Sequence, residues 1–175
     1  VERIERTFVM PGLLEFDSNC LMVLRRNLLT VAPLEGCALL LGDQQDSHIS
    51  QGGNICCVRL IWPCCNTWVA GMSSFPEVSD DPDFLDVSLL SRKCRFALDP
   101  REQLQAQRFA RARNWRVLGS AHSHPGGEAV PSPADHRWTV LPALMVIVAG
   151  SGNVRAWWLT GVQSDQKHEL AYLGQ

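Results

Sequence analysis

Leucines at 21, 24, 28 and 29 recur at helical spacing behind two polar residues, Ser18 and Asn19. This pattern predicts a helix over 18–29 with one of those two residues as its N-cap. Thr30-Val31-Ala32-Pro33 ends it. From Glu35 the chain runs Gly-Cys-Ala-Leu-Leu-Leu-Gly to position 42, the signature of a buried strand closed by glycine. The polar stretch 43–47 predicts a turn. Positions 48–63 predict one or two strands, interrupted by Gly52-Gly53-Asn54. Residues 67–86 carry Pro76, Pro82 and several aspartates with no sustained period, so they read as an irregular inserted loop. A short strand is expected over 93–98. Asp99 and Pro100 then supply an N-cap and a first helical position. That helix should run to about Arg113 and bury Leu104, Phe109 and Ala110. Residues 116–122 predict an apolar strand, and Ser132 a short helix. The runs 144–149 and 154–159, around Ser151-Gly152-Asn153, predict a hairpin.

Strands and helices alternate without repeats or a linker. The expectation is one α/β (α+β) domain over residues 1–175, with mixed strand directions and an irregular loop at about 67–86. The chain has 175 residues, 46% of them hydrophobic, enough for one sizeable core. A formal net charge of −2 and no basic run give no support for nucleic-acid binding. No apolar stretch approaches the roughly 20 residues that span a bilayer. The charged start, Val1-Glu2-Arg3-Ile4-Glu5-Arg6, does not read as a secretory signal. Seven cysteines, an odd number with adjacent pairs at 56–57 and 64–65, argue against a disulfide framework and for a reducing, cytoplasmic setting. Without a C-x-x-C they read as small buried hydrophobes rather than as a second metal site. The six tryptophans, Trp157-Trp158 among them, read as packing.

Chemistry concentrates in fourteen positions: His122-Ser123-His124-Pro125, then Ser132 and Asp135. Residues i and i+2 of a strand share a face, so His122 and His124 project side by side. Pro125 stops the strand and Gly126-Gly127 lets the chain double back. Asp135, in the first turn of the next helix, then completes a three-ligand set for one zinc ion with a position left for water. Zinc can lower the pKa of such a water to about 7. A hydrolase built this way needs a base, and Glu35 at the head of an apolar strand is the candidate, because a carboxylate there is costly without a partner or a task. A plainer reading stands beside this one. Ser132-Pro133-Ala134-Asp135 is also a capping box, Glu35 is also a solvated strand end, and a histidine pair can be idle. His48, His136 and His168 read as surface residues.

Taken together, Glu35, H-x-H-P at 122–125 and S-x-x-D at 132–135 resemble the JAMM motif of the MPN/JAB (Mov34) zinc metallopeptidases. The run from Asp99 through the following helix to Val117-Leu118-Gly119-Ser120-Ala121 is similar to that of compact prokaryotic members. The likeness extends over about residues 10–160. RadC-like proteins share the shorter H-x-H-P and S-x-x-D pair, but Glu35 on a leucine-rich strand fits the JAB type. The resemblance implies a mixed sheet flanked by helices, of the cytidine-deaminase-like kind, with one catalytic zinc. It implies His122, His124 and Asp135 as metal ligands, Glu35 as general acid/base, and Ser132 as a stabiliser of the developing oxyanion.

The implied reaction is zinc-dependent hydrolysis of a peptide or isopeptide bond after the C-terminal glycines of a ubiquitin-like or sulfur-carrier protein. The tail should lie extended in a narrow slot near Glu35. The loop at 67–86 is longer than in compact members, which opens lid, partner-surface and self-blocking roles. No ubiquitin-binding module is recognisable, so polyubiquitin is not expected as substrate. Two alternatives stay open: a non-catalytic MPN scaffold, and a metal hydrolase of small peptides or amides.

Overall fold

A computed structural model describes residues 9–46, 54–69, 91–161 and 166–174. The element order is β1 (Leu13–Phe16), α1 (Cys20–Thr30), β2 (Cys37–Asp46), β3 (Asn54–Cys64), α2 (Pro100–Arg111), β4 (Arg116–His124), α3 (Pro133–Trp138), β5 (Ala143–Ala149), β6 (Val154–Leu159), β7 (Lys167–Leu170) and β8 (Tyr172–Leu173). The strands form one sheet in the order β7-β6-β5-β4-β2-β3-β1-β8. β4 pairs parallel with β5, and β1 pairs parallel with β3 and β8. The remaining neighbours are antiparallel. This is the mixed sheet flanked by helices that the resemblance implies, with the mixed strand directions that the pattern of elements predicts. Among the described residues no helix is long and apolar enough to cross a membrane.

Alternation along the strands separates two apolar layers. Ala38 and Leu40 of β2 and Leu144, Val146 and Val148 of β5 face α1, whose Leu21, Leu24 and Leu28 complete that layer. Leu39 and Leu41 face the opposite way, toward Ala106 and Ala110 of α2. Farther along that second face, Met145, Ile147 and Trp157 pack under Ala129 of the β4–α3 connection.

A bulge in β4 decides which way the histidines point. Leu40 of β2 faces Gly119, but Leu41 faces Val117, so Leu118 is an extra residue in the ladder. An extra residue reverses the in/out alternation beyond it. Leu118 and Ala121 therefore both lie in the α1 layer despite an odd spacing. Ser123 follows Ala121 into that layer, and His122 and His124 emerge on the face that carries α2.

Several local expectations are corrected. β2 does not turn at 43 but continues to Asp46, paired with β3 throughout. Arg59 of β3 bonds Asp43 at 2.9 Å, so the polar end of β2 is held by side chains rather than freed for a turn. Residues 95–97 are irregular, with one isolated bridge between Asn66 and Leu98 where a strand was expected. On α2 the buried positions are Ala106 and Ala110, whereas Leu104 is 54% exposed. Two alanines let the helix approach the sheet closely, and Leu104 lies off that narrow stripe. Asn19 precedes α1 in a left-handed conformation and makes no side-chain cap. β1, β7 and β8 were not foreseen, being too short to show a period. His48, the Gly52-Gly53 interruption and most of the 67–86 loop lie outside the described residues.

Candidate metal centre

β4 brings His122 and His124 to its C-terminal end on one face, with their Nε2 atoms 2.9 Å apart. Pro125 and a turn closed by Gly127 N–H donating to the His124 carbonyl send the chain back over them. Trp157 Nε1 donates to Ala129 O at 2.9 Å and pins this connection to the sheet. Gly150 N–H also donates to the His124 carbonyl, and a side chain at 150 would put its Cβ 2.1 Å from Pro125 O. Only glycine allows that approach.

The connection delivers Ser132 and Asp135 at the start of α3. The capping box is present in full: Ser132 Oγ accepts from the Asp135 N–H, and Asp135 accepts from the Ser132 N–H at 2.7 Å. The plain reading of these two residues is therefore correct, and the same geometry aims Asp135 at the histidines. Its Oδ1 lies 3.3 Å from His122 Nε2, and its Oδ2 lies 3.7 Å from His124 Nε2. The Ser132 hydroxyl donates to Asp135 Oδ2 at 2.7 Å. One helix cap thus orients a carboxylate toward two imidazoles.

Glu35 reaches the same place from β2. Cys37 pairs with His122 across the β2–β4 ladder, and continuing that register sets Glu35 opposite His124. Glu35 Oε1 lies 4.0 Å from His124 Nε2, and the residue is buried. It stands two positions ahead of β2 rather than opening it, held by its N–H donating to Arg92 O at 2.7 Å. The next residue must be small, because a Cβ on Gly36 would sit 2.5 Å from the Leu28 carbonyl at the end of α1.

The electrostatics follow from burial and mutual contact. Burial opposes charge on Asp135, yet His122, His124 and Ser132 together hold its carboxyl well below the usual carboxylate range. Burial also works against a charged His124, but Asp135 and the Glu128 carbonyl outweigh it and raise its pKa. Burial raises Glu35, with His122 and His124 pulling in the other direction.

These groups fit a divalent cation. Ligands about 2.0–2.2 Å from a tetrahedral zinc lie roughly 3.3 Å from one another; here the two imidazole nitrogens are 2.9 Å apart, each has an Asp135 oxygen at 3.3 or 3.7 Å, and one ligand atom from each residue falls within 4.8 Å of the others. The histidine tautomers agree. His124 Nδ1 faces the Glu128 carbonyl at 2.9 Å, which only accepts, so Nδ1 carries the proton and Nε2 offers its lone pair. A backbone carbonyl behind a ligating imidazole is a usual supporting contact. His122 is fully buried and stacks on Phe96 with centroids 4.3 Å apart. Its Nδ1 has no hydrogen-bond partner among the described residues, so its polar contacts run through Nε2 into the cluster. Among the described residues this trio is the one group of three metal-ligating side chains brought within reach of a single ion.

A model of the prokaryotic homologues of the JAB domain matches residues 18–160. The chain belongs to that family. This JAB domain is also 35% identical over 75 residues to a desampylase of Pyrococcus furiosus, over 41% of this chain and 51% of the relative. It thus spans about half the length of that curated relative. A solution structure of a Desulfitobacterium hafniense protein is similar at a TM-score of 0.64 and 21% identity, covering 93% of this chain and 92% of its own. A Salinibacter ruber protein matches at a TM-score of 0.56 and 21% identity, over 92% and 91% of the two chains. At that identity the two structures speak for the fold.

Other residues singled out in the sequence lie apart from the JAB domain's cluster. His168 is exposed, and His136, on α3 beside Asp135, is half-buried. The seven cysteines are free. Burial pushes the Cys37 and Cys64 thiols up to about 12 and Cys56 up to about 11, which suits packing rather than reactivity. A cavity of about 440 Å³ flanks the motif on the side of Pro125, Glu128, Gly150 and Arg155. Glu35 does not line it, so it is not the narrow slot expected beside that residue. Phe96 and Asn66 were missed by sequence reasoning. Both act through contacts across some thirty residues or fewer of chain, with no local signal.

Proposed function

We propose that this protein is a zinc-dependent peptidase or isopeptidase of the JAMM type, acting on the bond that follows the C-terminal glycines of a ubiquitin-like, sulfur-carrier-type protein. Residues 1–175 are taken as one JAB/MPN domain with an insertion at 67–86. The observation that carries the reading is the convergence of His122, His124 and Asp135, with the buried Glu35 carboxylate 4.0 Å from His124. A desampylase among the relatives supports a ubiquitin-like substrate.

His122, His124 and Asp135 would hold the ion. Zinc in such a set supplies Lewis acidity toward a carbonyl and makes water acidic enough to lose a proton near neutral pH. Glu35 receives that proton at its carboxylate and later delivers it to the leaving amine, as a general base that becomes a general acid. Its burial suits the exchange, because desolvation favours the protonated form between the two transfers. Ser132 has a hydroxyl beside Asp135 and, turned toward substrate, stabilises the oxyanion as a hydrogen-bond donor. Phe96 covers His122 and keeps water from that side of the ring. Glycines in the substrate tail permit the close backbone approach that a half-buried site requires.

The test is cleavage of carrier-protein fusions joined through Gly-Gly, with and without chelator, beside a short Gly-Gly peptide. Chelator-sensitive cutting of the fusion supports the reading. Cutting of the short peptide alone assigns the protein to small-substrate hydrolysis. Full zinc occupancy without cleavage of either assigns it to a scaffold role.

A further inference from the structure

The side chain of Asn66, just beyond β3, uses every hydrogen-bonding position it has. Nδ2 donates to the Glu35 carbonyl and to the Arg95 carbonyl, both at 2.9 Å. Oδ1 accepts from the Trp68 N–H at 3.1 Å and from the Ala97 N–H at 3.2 Å. An amide offers two donors and two acceptor positions, so none is left over. The orientation is forced. Both partners of Nδ2 are carbonyls that only accept, and both partners of Oδ1 are N–H groups that only donate. A flipped amide would lose all four bonds.

The residues it holds belong to two walls of the metal centre. One is the backbone of Glu35, whose N–H is tied to Arg92 O and whose neighbour Gly36 donates to Ser123 Oγ at 2.9 Å. The other is the 95–97 segment, where Phe96 lies between the two residues that Asn66 bonds and stacks on His122. Thr67 strengthens this second wall, since its N–H and Oγ1 both donate to Ala97 O. Residues 95–97 have no ladder of their own, so these bonds fix where Phe96 sits.

We infer that Asn66 is a positioning residue for the reaction: its amide fixes the backbone of Glu35 and, through the 95–97 segment, the aromatic backing of His122. The inference rests on the proposed role of Glu35. A catalytic group must be held closely, since a displacement of about 1 Å can cost on the order of 100-fold in rate. Asn66→Asp is the sharpest probe. It keeps size and both acceptor positions but sets carboxylate oxygens against two carbonyl oxygens. Asn66→Ala removes all four bonds without adding charge.

The experiment measures kcat and KM on a ubiquitin-fold carrier ending in Gly-Gly and fused to a fluorescent reporter, with zinc content, melting temperature and amide hydrogen exchange alongside. Asn66→Ala and Asn66→Asp are made in the native chain and in Glu35→Gln. The expected result is a roughly 10- to 100-fold fall in kcat, with KM and zinc content nearly unchanged, and no further fall when either change is added to Glu35→Gln. Faster exchange at 35–36 and 95–97 accompanies it. Native kcat in both Asn66 variants while Glu35→Gln is impaired overturns the inference and leaves the proposed function standing. So does a loss that simply multiplies with that of Glu35→Gln, since it marks a general structural role. Full activity of Glu35→Gln removes the base assignment and the inference with it. If the native protein cuts no such fusion, unchanged exchange at 35–36 in Asn66→Ala overturns the clamp by itself.

Discussion

Glu35 and His124 face each other across the end of the β2–β4 ladder, 4.0 Å apart, although 88 positions separate them in the chain. The register that pairs Cys37 with His122 makes this meeting unavoidable. A base so placed should be separable from the metal. Glu35→Gln is expected to keep zinc and the fold while turnover falls by about 10²–10⁴. Paired metal analysis and cleavage assays check it, and an active Glu35→Gln enzyme removes the assignment.

Ser132 serves α3 and the metal centre at once. Ser132→Ala should lose about 1 kcal/mol of stability with the cap. Activity should fall by on the order of 10²–10³ if the hydroxyl also serves the oxyanion. Thermal unfolding and kcat separate the two effects. A stability loss with unaltered kcat would leave Ser132 as a cap alone.

Ser123 lies between the two histidines but on the opposite face. It donates to Leu28 O at 3.1 Å and accepts from Gly36 N, joining the end of α1 to the base-bearing loop. Ser123→Ala strands a buried carbonyl and a buried N–H, and is expected to cost about 1–3 kcal/mol for each. The melting temperature should fall while zinc content stays whole. Metal loss without destabilisation would contradict this division of labour.

Legibility in the sequence followed the range of the interactions. The Asp99 and Ser132 caps, the in-phase histidines and the Gly152 hairpin are decided within a few residues, and all are where the pattern put them. Gly152 takes the positive φ of 84° that its turn requires. The end of β2 was misread because a polar strand partnered by Arg59 looks like a turn when its partner is not visible. Leu104 was misassigned because α2 meets the sheet through Ala106 and Ala110, and a stripe of alanines gives little periodic signal. Asn66 and Phe96 could not be found, since their meaning lies in Glu35, Arg95 and His122, which reach them only through the folded sheet.

The polar end of β2 gives a pH dependence. Burial opposes ionisation of Asp43, but hydrogen bonds from Gln45 and Arg59 outweigh it and lower its pKa. A lowered carboxyl contributes stability above its unfolded pKa of about 3.9 and loses it as the pH falls through the folded value. Asp43→Asn should therefore cost up to about 1 kcal/mol at pH 7, where the Arg59 pair is partly exposed. The difference from the native chain should be smaller at pH 3, below the unfolded pKa of about 3.9. Denaturant unfolding at the two pH values checks it, and an equal difference at both would contradict the assignment.

One cation held between His122, His124 and Asp135 is the centre of the proposed chemistry. Native mass spectrometry of the purified protein, after removal of loosely held metal, tests this most directly. The expected result is one zinc per native chain, retained in Glu35→Gln and lost in His122→Ala and Asp135→Ala. A folded native protein that takes up no zinc, or a His122→Ala protein that holds it as firmly as the native chain, would contradict the account.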